Sequence, residues 1–183
     1  LLKNLSRNRE QIGFGVATGR TPESALEHLS RHGIPHPDIM ITAVGSEIYY
    51  GPEMIYARGW DAHIARHWDR ERIVELLANF GFLAYQSAEN QRKFKISYDM
   101  EPGKDRLAMI HYRLLENGCR YNLIYSHNKY LDILPYRASK GKAIRYVSYK
   151  WGIPLENIMV CGDSGNDEEM LKGRCPAVVV ANY

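Results

Sequence analysis

Apolar and polar positions recur along this chain in two rhythms, and the rhythm changes twice. From Ile12 to Ala17 a short apolar run bearing glycines reads as a buried strand. Thr21, Pro22 and Glu23 then supply an N-cap, a first-turn proline and an early acid, so a helix starts there. Ala25, Leu26 and Leu29 share one face of it, Gly33 can end it in left-handed geometry, and a strand follows near Ile39 to Thr42. Strand, helix, strand with short links is an α/β unit.

The middle of the chain behaves differently. "EIYY" and "MIYA" flank Gly51-Pro52 as a hairpin. A helix from about Asp69 puts Ile73, Leu76, Leu77 and Phe80 on one stripe and closes at Gly81. "FLAYQ" and "FKISY" read as paired strands, and Leu107, Ile110 and Leu114 mark a second helix. "YNLIYS" and "YLDIL" form another hairpin. Helix, two strands, helix, two strands is an antiparallel α+β layer inserted into the α/β unit. The first rhythm then resumes: Ser139 caps a helix with Ile144, Val147 and Trp151 on one face, "NIMVCG" is a strand pointing into a core, Asn166 to Leu171 a short helix, and "AVVVA" a strand. The predicted fold is α/β, a Rossmann-like parallel sheet with helices over 1–43 and 136–183, carrying an inserted α+β layer over 44–135. Residues 1–10 read as a helix and "AVVVANY" as the end of a strand, so both ends are expected to continue in a longer protein.

A chain of 183 residues buries roughly 70% of its unfolded surface and needs no disulfide or structural metal to be stable. With 24 basic and 21 acidic residues, net +3, the charge is too balanced to indicate nucleic acid or an anionic membrane. No apolar run reaches transmembrane length. Cys119, Cys161 and Cys175 lack CxxC spacing. They are expected to be buried small hydrophobes in a reduced, cytoplasmic protein.

The chemistry gathers where strands end. "CGDSGND" puts Asp163 at a strand's exit and Asp167 in the first turn of the next helix, the place where open α/β sheets bind ligands. Hard carboxylate oxygens there suit Mg²⁺, which takes a few carboxylates together with water and phosphate. Thr18, in "VATGR", ends another strand in a hydroxyl beside Gly19 and a helix N-terminus, which makes a phosphate cradle. Lys140, in "SKGKA", opens a helix against the dipole, and a neighbouring phosphate would account for it. Taken singly, each has a plainer reading: an Asx turn, a helix cap and a solvated lysine. "GDSG" also surrounds the nucleophile of trypsin-like proteases, but that fold is all-β. The same stretch fails as an EF-hand, because Gly165 occupies a ligand position.

In order, "ATGR", "SKGKA" and "CGDSGND" resemble the second, lysine and acidic fourth motifs of the haloacid dehalogenase superfamily of phosphotransferases. "ITAVGSEIYY", "FKISY" and "LDILPYRASKGKA" narrow the likeness, over about residues 12–182, to the sucrose-phosphate phosphatase family and the related domain fused behind the glycosyltransferase of sucrose-phosphate synthases. The resemblance implies an Mg²⁺-dependent sugar-phosphate phosphatase acting through an aspartyl phosphate. By the same likeness Thr18, Lys140, Asn166 and Asp167 are catalytic, and Asp163 with Asp167 holds the metal. Thr18 and the Gly19 amide would bind phosphoryl oxygens, and Arg20 is a further substrate-binding candidate. Gly45, Ser46, Glu47 and Lys95, with Asp132 and Arg137, would meet sugar hydroxyls. The family's first motif, DxDxT, which carries the nucleophile, does not occur here; it would lie one βα unit before Ile12. A regulatory or assembly domain of a sucrose-phosphate synthase, and a phosphatase for trehalose or glucosylglycerate phosphate, are the competing expectations.

Overall fold

The computed structural model describes residues 7–180, so the helix expected over 1–10 falls largely outside it. The first layer starts as the sequence reads. Strand β1, Gly15–Ala17, pairs in parallel with β2, Ile39–Thr42, and helix α1, Pro22–Arg31, crosses between them. Thr21 caps α1 by accepting from the Ser24 amide, and Gly33 leaves it at φ 62°. Gly15 is required by proximity, since a Cβ there would come within 2.8 Å of Ile39.

Strands β3, Glu47–Tyr50, and β4, Ile55–Tyr56, extend this same sheet antiparallel, in the order β1-β2-β3-β4. The hairpin assigned to the insertion from its sequence is therefore built onto the first sheet. Alternation tells which side chains share a face, not which sheet a strand joins. Helix α2, Arg58–Ile64, follows; its seven residues carry too little periodicity to be foreseen, yet its Trp60 is only 1% exposed.

The inserted layer comprises α3, Arg70–Leu77, β5, Leu83–Tyr85, β6, Ile96–Met100, α4, Arg106–Glu116, β7, Tyr121–Ser126, and β8, Tyr130–Pro135. Its sheet is antiparallel, ordered β5-β6-β8-β7. Ile96, Tyr98, Met100, Leu131 and Ile133 pack on Ile73, Leu77, Ile110 and Leu114 of the two helices. By the period of two, Lys95, Ser97, Asp132 and Asn122 lie on the opposite face.

The chain returns through α5, Lys140–Trp151, β9, Val160–Gly162, α6, Glu168–Leu171, and β10, Ala177–Val179. β9 and β10 form a separate parallel pair. Here the expected buried strand differs from the observed one: Val160 is buried, but Met159 is 70% exposed and Cys161, Val178 and Val179 are exposed too. Continuous apolar runs belong to parallel strands covered on both faces. Among the described residues, β1 and β9 each pair on one edge only. The cysteines are correspondingly not core residues; Cys119 and Cys175 are half-buried, and all three are free.

Candidate active site

Two turns meet at the end of β1. The Thr18 amide donates to Ile41 O (2.8 Å), Val44 N to Thr18 O (3.0 Å), and Ala43 N to Arg20 O (2.9 Å). The Thr18 hydroxyl accepts from the Arg20 amide at 3.2 Å, while the Arg20 guanidinium reaches Ser24 Oγ at 3.4 Å. The partner turn is costly: Ala43, Val44 and Gly45 have φ of 49°, 61° and 96° in succession. A non-glycine residue held there costs about 1–3 kcal/mol and persists only where its surroundings over-determine it. They do so here. A Cβ on Gly45 would come within 2.2 Å of the Ser139 carbonyl carbon, and Trp60 Nε1 donates to Gly45 O at 3.2 Å. Ser46 follows, fully buried, with no hydrogen-bond partner for its hydroxyl among the described residues.

Ser139 caps α5 by accepting from the Lys142 amide (3.0 Å), which puts Lys140 in the first turn. The residue is 4% exposed, and its ammonium donates to Asn166 Oδ1 and Asp167 Oδ1, both at 2.7 Å. The lysine that opposes the helix dipole thus has an intramolecular partner. Asp167 Oδ2 accepts from the Asp163 amide (3.2 Å), the Ser164 amide (3.3 Å) and Ser164 Oγ (3.3 Å). Burial pushes the Asp167 carboxyl up, but Lys140 and the two amides outweigh it and hold the group below the ordinary carboxylate range. Gly162 is needed for this packing, since a Cβ there would lie 2.7 Å from the Asp167 side chain.

Asn166 is oriented by the same network. Its Oδ1 accepts from Lys140 and lies 3.0 Å from Ser164 Oγ, so its amide donor is the other end. That Nδ2 lies 3.8 Å from where a Gly19 Cβ would stand. Thr18, Gly19, Gly45, Lys140, Asn166 and Asp167 therefore converge, with Asp163 exposed at the mouth of β9.

The expected sugar contacts fall into separate groups. Lys95 Nζ donates to Ser97 Oγ (2.6 Å) and lies 3.4 Å from Asp132 Oδ1, which also accepts from Ser97 Oγ at 2.6 Å. All three are buried. Glu47 is not with them: it is forked by Arg92, Nε to Oε1 at 2.7 Å and Nη2 to Oε2 at 3.1 Å, and accepts from Thr42 and Tyr49. Arg137 reaches His63 O at 3.4 Å, on α2. Sequence reasoning missed Ser97, Ser164, Trp60 and Arg92. Strand alternation alone puts Ser97 beside Lys95, but nothing local pairs Arg92 with a residue 45 positions away.

As donors for a metal, the acidic residues are unequal. Both Asp167 oxygens are engaged, and among the described residues no three histidine, cysteine or acidic side chains come together.

An α/β body interrupted by an antiparallel layer, its lysine held at the strand ends by the loop after β9, is the haloacid dehalogenase-like fold of solved hydrolase structures. More narrowly, the family model for sucrose-6F-phosphate phosphohydrolase matches residues 1–183, and the chain belongs to that family. It is 38% identical over 167 residues to sucrose-phosphatase 1 of Nicotiana tabacum, covering 88% of this chain and 39% of that protein. The sucrose-phosphatase of Synechocystis sp. PCC6803, solved with sucrose and phosphate, superposes with a TM-score of 0.91 at 33% identity, over 97% of this chain and 73% of that one. Sucrose-phosphate synthase 4 of Arabidopsis thaliana is 25% identical over 97% of this chain but only 18% of its own length. The chain thus spans well under half the length of these two curated relatives.

Proposed function

We propose that the complete protein hydrolyses a sugar phosphate, sucrose 6-phosphate foremost, to the sugar and phosphate. The observation that carries this is the buried Lys140 ammonium, locked by Asp167 and Asn166 beside the Thr18–Gly19 turn. An ammonium has three donors; two are spent inside the protein, and the third remains for a phosphoryl oxygen. Thr18 Oγ1, the Gly19 amide and Asn166 Nδ2 supply the other donors, fixed before the charge arrives, which is the main lever in phosphoryl transfer.

The nucleophile is an aspartate outside this chain, on a strand for which β1 and β9, each paired on one edge only among the described residues, leave room. It displaces the sugar oxygen from phosphorus, and water then hydrolyses the aspartyl phosphate. Asp163, exposed at the strand end, fits Mg²⁺ as one carboxylate ligand, the rest coming from water, phosphate and the absent segment. When bound, that ion neutralises phosphoryl charge. Asp167 acts through Lys140. The inserted layer reads the sugar with Lys95, Ser97 and Asp132. Three free cysteines support a reducing, cytoplasmic setting, and no helix among the described residues is long and apolar enough to cross a membrane.

The test is phosphate release by the complete protein with Mg²⁺. Sucrose 6-phosphate is expected to be the best substrate, and the 1–183 chain alone is expected to be inactive. Faster turnover of trehalose 6-phosphate sinks the sucrose reading; metal-dependent turnover by 1–183 sinks the assignment of the nucleophile. The likeness to a sucrose-phosphate synthase favours one other reading, a regulatory domain fused to the synthase's glycosyltransferase. An inactive complete protein that modulates a fused synthase would establish it.

A further inference from the structure

Three successive side chains of the β5–β6 connection reach into the first layer. Arg92 forks Glu47, Lys93 Nζ lies 3.2 Å from Asp61 Oδ2, and Phe94 packs with Ile41, Val44, Ile48 and Trp60. They differ in what they can specify. Lys93 is largely exposed, and its ion pair contributes little. Phe94 is held by non-directional burial. Only Arg92 fixes an orientation, because a planar guanidinium binds both oxygens of a carboxylate in one plane.

Both ends of this fork lead to a site. Arg92 N donates to Lys95 O (3.0 Å) and Lys95 N to Arg92 O (3.2 Å), so residues 92–95 close into a tight turn. A displaced Arg92 therefore carries Lys95 away from Ser97 and Asp132. At the other end, Glu47 stands two residues after Gly45, which closes the left-handed turn and lies on the Ser139–Lys140 peptide. Glu47 is 5% exposed, and its other donors, Thr42 and Tyr49, are neutral. Without Arg92 a buried carboxylate loses its cation, and the connection loses its directional anchor.

We propose that Arg92 is a positioning residue for sugar recognition: through Glu47 it sets how the inserted sheet presents Lys95, Ser97 and Asp132 over the phosphate site. This rests on the sugar-phosphate reading above. Arg92→Lys keeps the charge but not the fork, and Arg92→Gln removes both. In the complete protein, KM for sucrose 6-phosphate should rise roughly 10-fold in both variants. Hydrolysis of p-nitrophenyl phosphate, which offers no sugar to read, should stay within about 2-fold of the parent. Amide hydrogen exchange should quicken together in residues 43–49 and 92–97. Equal losses on both esters, an unchanged KM, or quickening confined to one segment would overturn the proposal. If the parent hydrolyses neither ester, the phosphatase reading fails on its own. Hydrogen exchange in Arg92→Lys then decides for Arg92: joint quickening upholds the link between the layers, and its absence overturns it.

Discussion

Replacing Asp167 by alanine should be among the costliest single changes in this chain. Lys140 and Asp167 are each 4% exposed and 2.7 Å apart. The substitution strands a cation in the interior and also frees the Asp163 and Ser164 amides from Oδ2. Breaking a buried pair from one side costs about 3–5 kcal/mol, equivalent to a fall in Tm of roughly 6–20 °C at this chain size. Lys140→Met should cost less, because Asp167 keeps three donors on its second oxygen. The double variant should then be more stable than the two single losses summed, by about 1–3 kcal/mol. Urea unfolding of the complete protein, followed by circular dichroism and fluorescence with coincident transitions, measures all three. A loss below about 1 kcal/mol for Asp167→Ala, or strict additivity in the double variant, would refute the view that the pair anchors the site.

Other outcomes follow from the same geometry. Asp163→Ala in the complete protein should abolish Mg²⁺-dependent phosphate release, since it removes an exposed carboxylate at the end of β9; retained metal-dependent turnover would contradict it. Gly45→Ala should lower the melting temperature by roughly 5 °C or more, because the added carbon meets the Ser139 carbonyl at a positive φ; an unchanged thermal scan would show that the turn relaxes freely. Lys95→Ala should lower kcat/KM for sucrose 6-phosphate by about 10-fold or more, a larger loss than on p-nitrophenyl phosphate. Parallel losses would remove Lys95 from sugar recognition.

Local signals carried much of this into the sequence. Thr21-Pro22 and Ser139 mark helix starts that the structure places at Pro22 and Lys140, because caps are made by neighbours along the chain. Thr18, Lys140 and Asn166 were legible as a group because strand ends and helix starts are readable and their order is distinctive. What escaped depends on distant pairing. Lys140 at a helix start raises the right question, but its partner Asp167 is 27 residues on, and no local pattern pairs the two. The Arg92 fork on Glu47 is likewise silent in the sequence, because Arg92 belongs to another layer. The apolar run at β9 promised a covered strand, and burial of a strand depends on neighbours that its own residues do not name.

The left-handed turn at 43–45 also sets an order of events during synthesis. One of its braces is the Ser139–Lys140 peptide, which can reach it only once that part of the chain has emerged. At about 5–20 residues per second, the wait after residue 45 is roughly 5–20 s. The inserted layer, whose core runs from Ile73 to Ile133, is fully synthesised by the end of that wait, while α5, β9 and β10 of its host are still to come. The insertion can therefore fold before its host is complete.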